Sequence, residues 1–216
     1  MNNVDNCKKI ERQMWISVVV DAMIVFLGIL GSVQEIQMND VQMLQYYTTL
    51  SNLFIAFCCG MHICYTIGMA ENRPVPKWFG CMKFYGVVCM MVTFFVVIFI
   101  LAPMEGRYSR LLTEGPLLYQ HTICPLLSIF SLLLWDYRQI QWKFSMTYIS
   151  LLPTAVYAVC STTGNALKIM NGPYPFLRVY EQPLYMSVIW FVLILSLAYI
   201  IALVIYKISV FRKTDK

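Results

Sequence analysis

Residues 184 to 206 read LYMSVIWFVLILSLAYIIALVIY, an apolar run without one charged side chain, and this stretch decides the fold. About 20 apolar residues cross the hydrocarbon core of a bilayer as a helix. At that depth no water satisfies the backbone, so a spanning segment of this kind must bond internally as a helix. Working back along the chain, the same reading recurs near 14 to 33, 47 to 69, 79 to 102, 117 to 135 and 144 to 162. The expectation is an all-α polytopic membrane bundle: six transmembrane helices forming a single integral membrane domain over residues 1 to 216. Composition agrees, because a chain that is 59% hydrophobic, 12% charged and +0.65 in mean hydropathy has more apolar surface than a soluble core can hide.

Charge sets the orientation. With the N-terminus inside, only Arg107, Arg110, Lys168 and Arg178 of the 16 Lys and Arg residues fall on the outer side, and the other twelve fall on the inner side. This bias predicts both termini in the cytoplasm. The net charge of +5 is then a topological signature and no nucleic-acid footprint, so the expected partners are membrane lipids. The basic stretch Lys8, Lys9, Arg12 before the first span resembles a signal peptide, but the apolar run is too long and no small-residue cleavage site follows. Cys58, Cys59, Cys64, Cys81, Cys89, Cys124 and Cys160 lie in predicted spans and Cys7 on the inner tail, so they are expected to pack as small apolar residues.

The connections carry turn residues: Asn39-Asp40, Asn72 to Pro76, Gly106 and Gly115-Pro116. Only the fifth, residues 163 to 183, is long, and its run NGPYPF at 171 to 176 could roof a site with Tyr174 and Phe176. The sequence carries no repeat and no matched pair of broken spans of the kind that marks alternating-access transporters. Trp15, Tyr46, Tyr47, Trp78, Trp135 and Tyr206 sit at predicted boundaries as interfacial anchors.

Polar residues within the spans gather toward the outer face. The second span enters as YYTTLSNLF at 46 to 54, with Thr48 and Asn52 one helical turn apart. The fourth enters as LLYQHTICPLL, with His121, Pro125 and Ser128 on one face. Thr48 and His121 both fall within about 6 Å of the outer boundary at about 1.5 Å rise per residue, and the fifth span brings Tyr157 to the same level. A threonine hydroxyl needs a base to take its proton as it attacks, and imidazole suits that task. Thr48 with His121 is therefore a candidate catalytic pair, although each residue type is more often found simply hydrogen-bonded. His62 lies too deep to share a haem with His121, and no ligand set gathers at metal spacing, so neither cofactor nor metal is expected. Asp21, the acid well inside the first span, is expected to bond a neighbouring helix. Pro125 and Pro153 permit kinks that open a cavity.

Taken in order and spacing, YTTLSNL at 47 to 53, HTICP at 121 to 125, Trp135-Asp136, LPTAVY at 152 to 157 and PYPFL at 173 to 177 resemble one family. It is the bacterial membrane-protein branch related to the androgen-induced-gene-one and androgen-dependent TFPI-regulating proteins, and the resemblance spans most of the chain. Animal members are multi-pass hydrolases of fatty acid esters of hydroxy fatty acids with a threonine nucleophile and a histidine. The resemblance implies an integral protein of the bacterial cell membrane, with Thr48 as nucleophile and His121 as base acting on an acyl ester. Two features depart from the animal pattern: the spacing from His121 to Pro125 is one residue shorter, and Ser51-Asn52 belongs to the bacterial pattern. Asn52 and Tyr157, with Tyr174 and Phe176, are the expected substrate contacts. The competing reading is a non-enzymatic protein that binds or moves a lipid or small amphiphile with the same residues.

Overall fold

The computed structural model describes residues 2–68 and 77–214, with side chains for 11–38, 40, 42–67 and 78–214. Its helices are α1 (Asn2–Asn39), α2 (Tyr47–Gly68), α3 (Lys77–Val96), α4 (Ala102–Glu105), α5 (Tyr108–Thr113), α6 (Gly115–Leu118), α7 (Cys124–Leu134), α8 (Ser145–Ile149), α9 (Leu152–Ala166) and α10 (Leu184–Thr214). No strand occurs among the described residues. Among the described residues, five helical stretches are long and apolar enough to cross a membrane: Glu11–Met38, Tyr47–Ile67, Trp78–Glu105, Gly115–Leu134 and Leu184–Thr214. These coincide with five of the six expected spans.

The remaining expected span, 144 to 162, is divided between α8 and α9, and the division has a local cause. Pro153 has no N–H and its ring crowds the carbonyl four residues earlier, that of Ile149. Upstream, side chains take over the backbone bonding: Thr147 Oγ1 donates to the Phe144 carbonyl at 2.7 Å and Ser150 Oγ to the Thr147 carbonyl at 2.9 Å. The Leu151 amide then closes a tighter turn on the Tyr148 carbonyl at 3.1 Å.

Two other prolines widen a helix without ending it. Val97–Leu101 precedes Pro103 and Tyr119–Ile123 precedes Pro125, and both are π turns, in which the Ala102 amide bonds the Val97 carbonyl and the Cys124 amide the Tyr119 carbonyl. One extra residue per turn relieves the clash that the ring would make with an α-helical carbonyl. The turns expected at Asp40, Gly106 and Gly115 are present, each with positive φ. The one expected at Asn72 to Pro76 lies outside the described residues.

α3 is the central helix, packed on α2, α7, α9 and α10, while α1 packs on α2 and α7. Val87, Val88, Met90 and Val92 are buried on it. Close approach of α2 relies on Gly86, where an added Cβ would stand 2.8 Å from Ile55 Cδ1. Apolar side chains such as Phe26, Phe57, Phe99, Val188 and Phe211 cover the outside of the bundle, the surface expected where the solvent is lipid. At one end, Arg138 Nη1 donates to Gln13 Oε1 at 2.9 Å and Arg212 Nη1 to the Leu133 carbonyl at 2.8 Å. The first residues of the α1 span and the last turn of α10 therefore meet the same segment, 133 to 138.

Candidate functional site

At the opposite end, α2 begins at Tyr47, and its first turn faces a cleft between α2, α3, α9, α10 and the 167–183 loop. Val92, Val96, Val97 and Leu101 form an apolar wall, and Thr48, Thr93, Thr154, Tyr47, Tyr157 and Tyr174 are the hydroxyl-bearing residues among its lining. The NGPYPF run supplies the cover: Tyr174 and Phe176 are both buried, with their rings stacked at 5.2 Å, and both line the cavity. Pro175 starts the short helical turn Pro175–Leu177 that turns these rings inward.

Thr48 takes Tyr174 as its partner. The Tyr174 hydroxyl lies 3.2 Å from the Thr48 amide, which donates to it, and 3.2 Å from Thr48 Oγ1. Burial pushes the Tyr174 phenol up to about 12, so it keeps its proton at neutral pH and remains a donor. Tyr157 lines the same cavity, but its own proton is committed to the Gln45 carbonyl at 2.9 Å. The Tyr47 ring packs at a tilt against Tyr157, centroids 5.0 Å apart, and its hydroxyl pairs with Thr154 Oγ1 at 2.7 Å.

His121 and Asn52 are not among the residues lining the cavity. His121 is buried within the π turn, and its Nδ1 is 2.7 Å from the Leu111 carbonyl. That nitrogen must therefore carry the proton, which leaves Nε2 as the basic position of the neutral ring. Asn52 Nδ2 donates to the Thr48 carbonyl at 2.9 Å and to the Gln120 carbonyl at 3.2 Å. One amide thus ties the backbone of the expected nucleophile to the residue preceding the expected base. It also spends both amide protons, so in this arrangement Asn52 has no N–H to offer an oxyanion.

A second polar cluster lies toward the end where α1 and α10 each meet residues 133 to 138. Lys83 Nζ donates to Asp21 Oδ1 and Oδ2 at 2.6 and 2.7 Å, to Ser131 Oγ at 3.0 Å, and pairs with Asp136 Oδ2. His62 Nδ1 is 2.7 Å from Asp21 Oδ2, and Ser17 Oγ donates to Asp136 Oδ1 at 2.5 Å. Asp21 does bond neighbouring helices, as expected, but its partners include a buried cation. Lys83, counted from sequence among the inner-side charges, is inside the bundle. The signal that could have found the cluster was an opposite-sign pair, Asp21 and Lys83, each inside an apolar run near the inner boundary.

No family model matches the chain, and neither a curated protein nor a solved structure matches it.

Proposed function

We propose that this chain is an integral protein of the bacterial cell membrane that holds a single-chain acyl lipid in the outer-end cavity, with the lipid's polar group at Thr48 and Tyr174. The observation that carries this reading is the cavity itself: an apolar wall along α3 with hydroxyl groups where α2 begins, under a lid of two stacked aromatic rings. That layout suits a molecule with one long apolar part and one hydrogen-bonding end. Six crossings with both termini cytoplasmic complete the proposal, with α8 and α9 in tandem making the fifth crossing.

A second reading, ester hydrolysis, is favoured by one detail, the His121 tautomer. With Nδ1 held on the Leu111 carbonyl, Nε2 is free to act as base. In that reaction Thr48 Oγ1 bonds the acyl carbon as its proton passes to His121, the alkoxide leaves with that proton, and water then cleaves the acyl-threonine. Reaching His121 requires Thr48 to leave Tyr174.

The test is paired. Native mass spectrometry of the purified protein should show a retained lipid that Val96→Trp, which fills the cavity, expels. A fluorophosphonate probe should label Thr48 only if hydrolysis is real, with labelling abolished by Thr48→Ala and by His121→Ala. Retention without labelling leaves a lipid-binding protein; neither retention nor labelling removes both readings.

A further inference from the structure

A groove lies between α2 and α9 on the outside of the bundle, and the buried Cys89 of α3 lines it from the interior. We infer that this groove is the lateral entrance through which the acyl chain of a membrane lipid passes between the bilayer and the cleft at Thr48, with Tyr47 and Tyr157 as the partition it displaces. The inference rests on the lipid reading of that cleft.

Helical register separates the two spaces. On α9, Thr154 and Ala158 are one turn apart, buried, and line the cleft. Pro153, Val156 and Cys160, at spacings of three and four, line the groove; residues so spaced share one helix face. On α2, Thr48 lines the cleft, whereas Leu50, Ser51 and Phe54 line the groove. Among the described residues only Tyr47 and Tyr157 line both. Their rings lie against each other with centroids 5.0 Å apart, so this pair stands between the groove and the cleft.

The partition is held by side chains. The Tyr47 hydroxyl meets Thr154 Oγ1 at 2.7 Å, and the Tyr157 hydroxyl donates to the Gln45 carbonyl at 2.9 Å. Ser51 on the groove side pairs with Thr93 on the cleft side, their hydroxyl oxygens 2.9 Å apart. Rotation of a tyrosine side chain therefore opens the partition while the backbone bonds of α2 and α9 stay in place.

The surroundings and the lining name the occupant. Leu50 and Val156 on the rim are 42% and 52% exposed, and Phe57 and Val159 continue this apolar surface along the same two helices. α2 is long and apolar enough to cross a membrane, so the solvent at that surface is hydrocarbon. Ser51 Oγ is already engaged by the Thr48 carbonyl and by Thr93, and both tyrosine hydroxyls have partners. The groove thus offers little to a polar ligand, and a hydrocarbon chain needs none of it. Pro153, in the first turn of α9, removes one of the unpaired amides that a helix start would otherwise show to lipid. The lined faces run from 47 to 54 and from 153 to 160, about 10 Å at about 1.5 Å rise per residue, which seats a stretch of one chain.

Exchange kinetics test the entrance. The full protein in nanodiscs is loaded with palmitate and mixed with vesicles carrying deuterated palmitate, and native mass spectrometry follows the replacement of the lighter lipid by the heavier. Val156 lines the groove and not the cleft, so Val156→Trp should slow exchange about tenfold or more while the amount retained stays at the wild-type level, because an obstructed entrance delays entry and exit alike. Tyr47→Phe removes the bond to Thr154 and should speed exchange severalfold. Val188→Trp, on the exposed face of α10, should leave the rate unchanged. Palmitate retained by Val156→Trp and exchanged at the wild-type rate overturns the entrance and leaves the lipid reading standing. So does equal slowing by Val188→Trp, or an unchanged rate in Tyr47→Phe. A wild-type protein that retains no palmitate removes the lipid reading and the entrance together. If Val156→Trp does not fold, Tyr47→Phe decides alone.

Discussion

Lys83 shows how a single side chain can be both a cost and a constraint. Its ammonium is almost wholly buried and stands between Asp21 and Asp136, so α1, α3 and the turn after α7 meet on one charge. Burying a pair gains little overall, but removing one member leaves its partners charged and dry, which typically costs about 3–5 kcal/mol. Lys83→Met should therefore lower the stability of the protein by about that amount, read as a fall in melting temperature in nanodiscs. Adding Asp136→Asn to that variant removes one of the orphaned carboxylates and should recover part of the loss, a clear departure from additivity. If the double variant is less stable than the single one by the full cost of Asp136→Asn alone, the three groups do not act as a unit.

At the scale of elements, the sequence was most readable where one rule governed a whole segment. Residues 184 to 206 had to be a helix because lipid permits little else, and Tyr174 and Phe176 were identifiable as a cover because NGPYPF is turn chemistry rich in aromatic rings. What the pattern could not supply was the behaviour of prolines. Pro153 divided α8 from α9, yet Pro125 only widened the turn before it. Periodicity assumes an unbroken 3.6-residue turn, and each inserted residue rotates everything upstream by about 100°. His121, Pro125 and Ser128 are all buried, as a shared face requires, but a shared face does not name a partner: His121 Nδ1 meets the Leu111 carbonyl while Thr48 meets Tyr174. Pro125→Ala restores the missing N–H and removes the clash, so the segment should relax toward α-helical register. The His121 Nδ1–H signal should then shift away from its position on Leu111. An unchanged signal in the variant would mean that packing by α5, and not the proline, sets the π turn.

For the whole molecule the governing question is how many times the chain crosses, because that number decides which face each site serves. α8 and α9 are each too short to cross alone, but residues 145 to 166 in tandem extend about 33 Å at 1.5 Å per residue. That length matches the hydrocarbon core. Arg138 on Gln13 and Arg212 on the Leu133 carbonyl bring both ends of the described chain to one end of the bundle, as an even number of crossings requires. In the proposed topology the lysine and arginine bias makes that end the cytoplasmic one, and taking the buried Lys83 out of the inner count lowers it by one and leaves the four outer cations well outnumbered. On the proposed topology, green fluorescent protein fused to either terminus should fluoresce, and alkaline phosphatase inserted at residues 179 to 182 should be active. Phosphatase activity at one terminus only would mean that the tandem pair does not cross. The cavity at Thr48 and the cluster at Lys83 would then have to be reassigned to faces of the membrane, since the loop that covers Thr48 follows directly on α9.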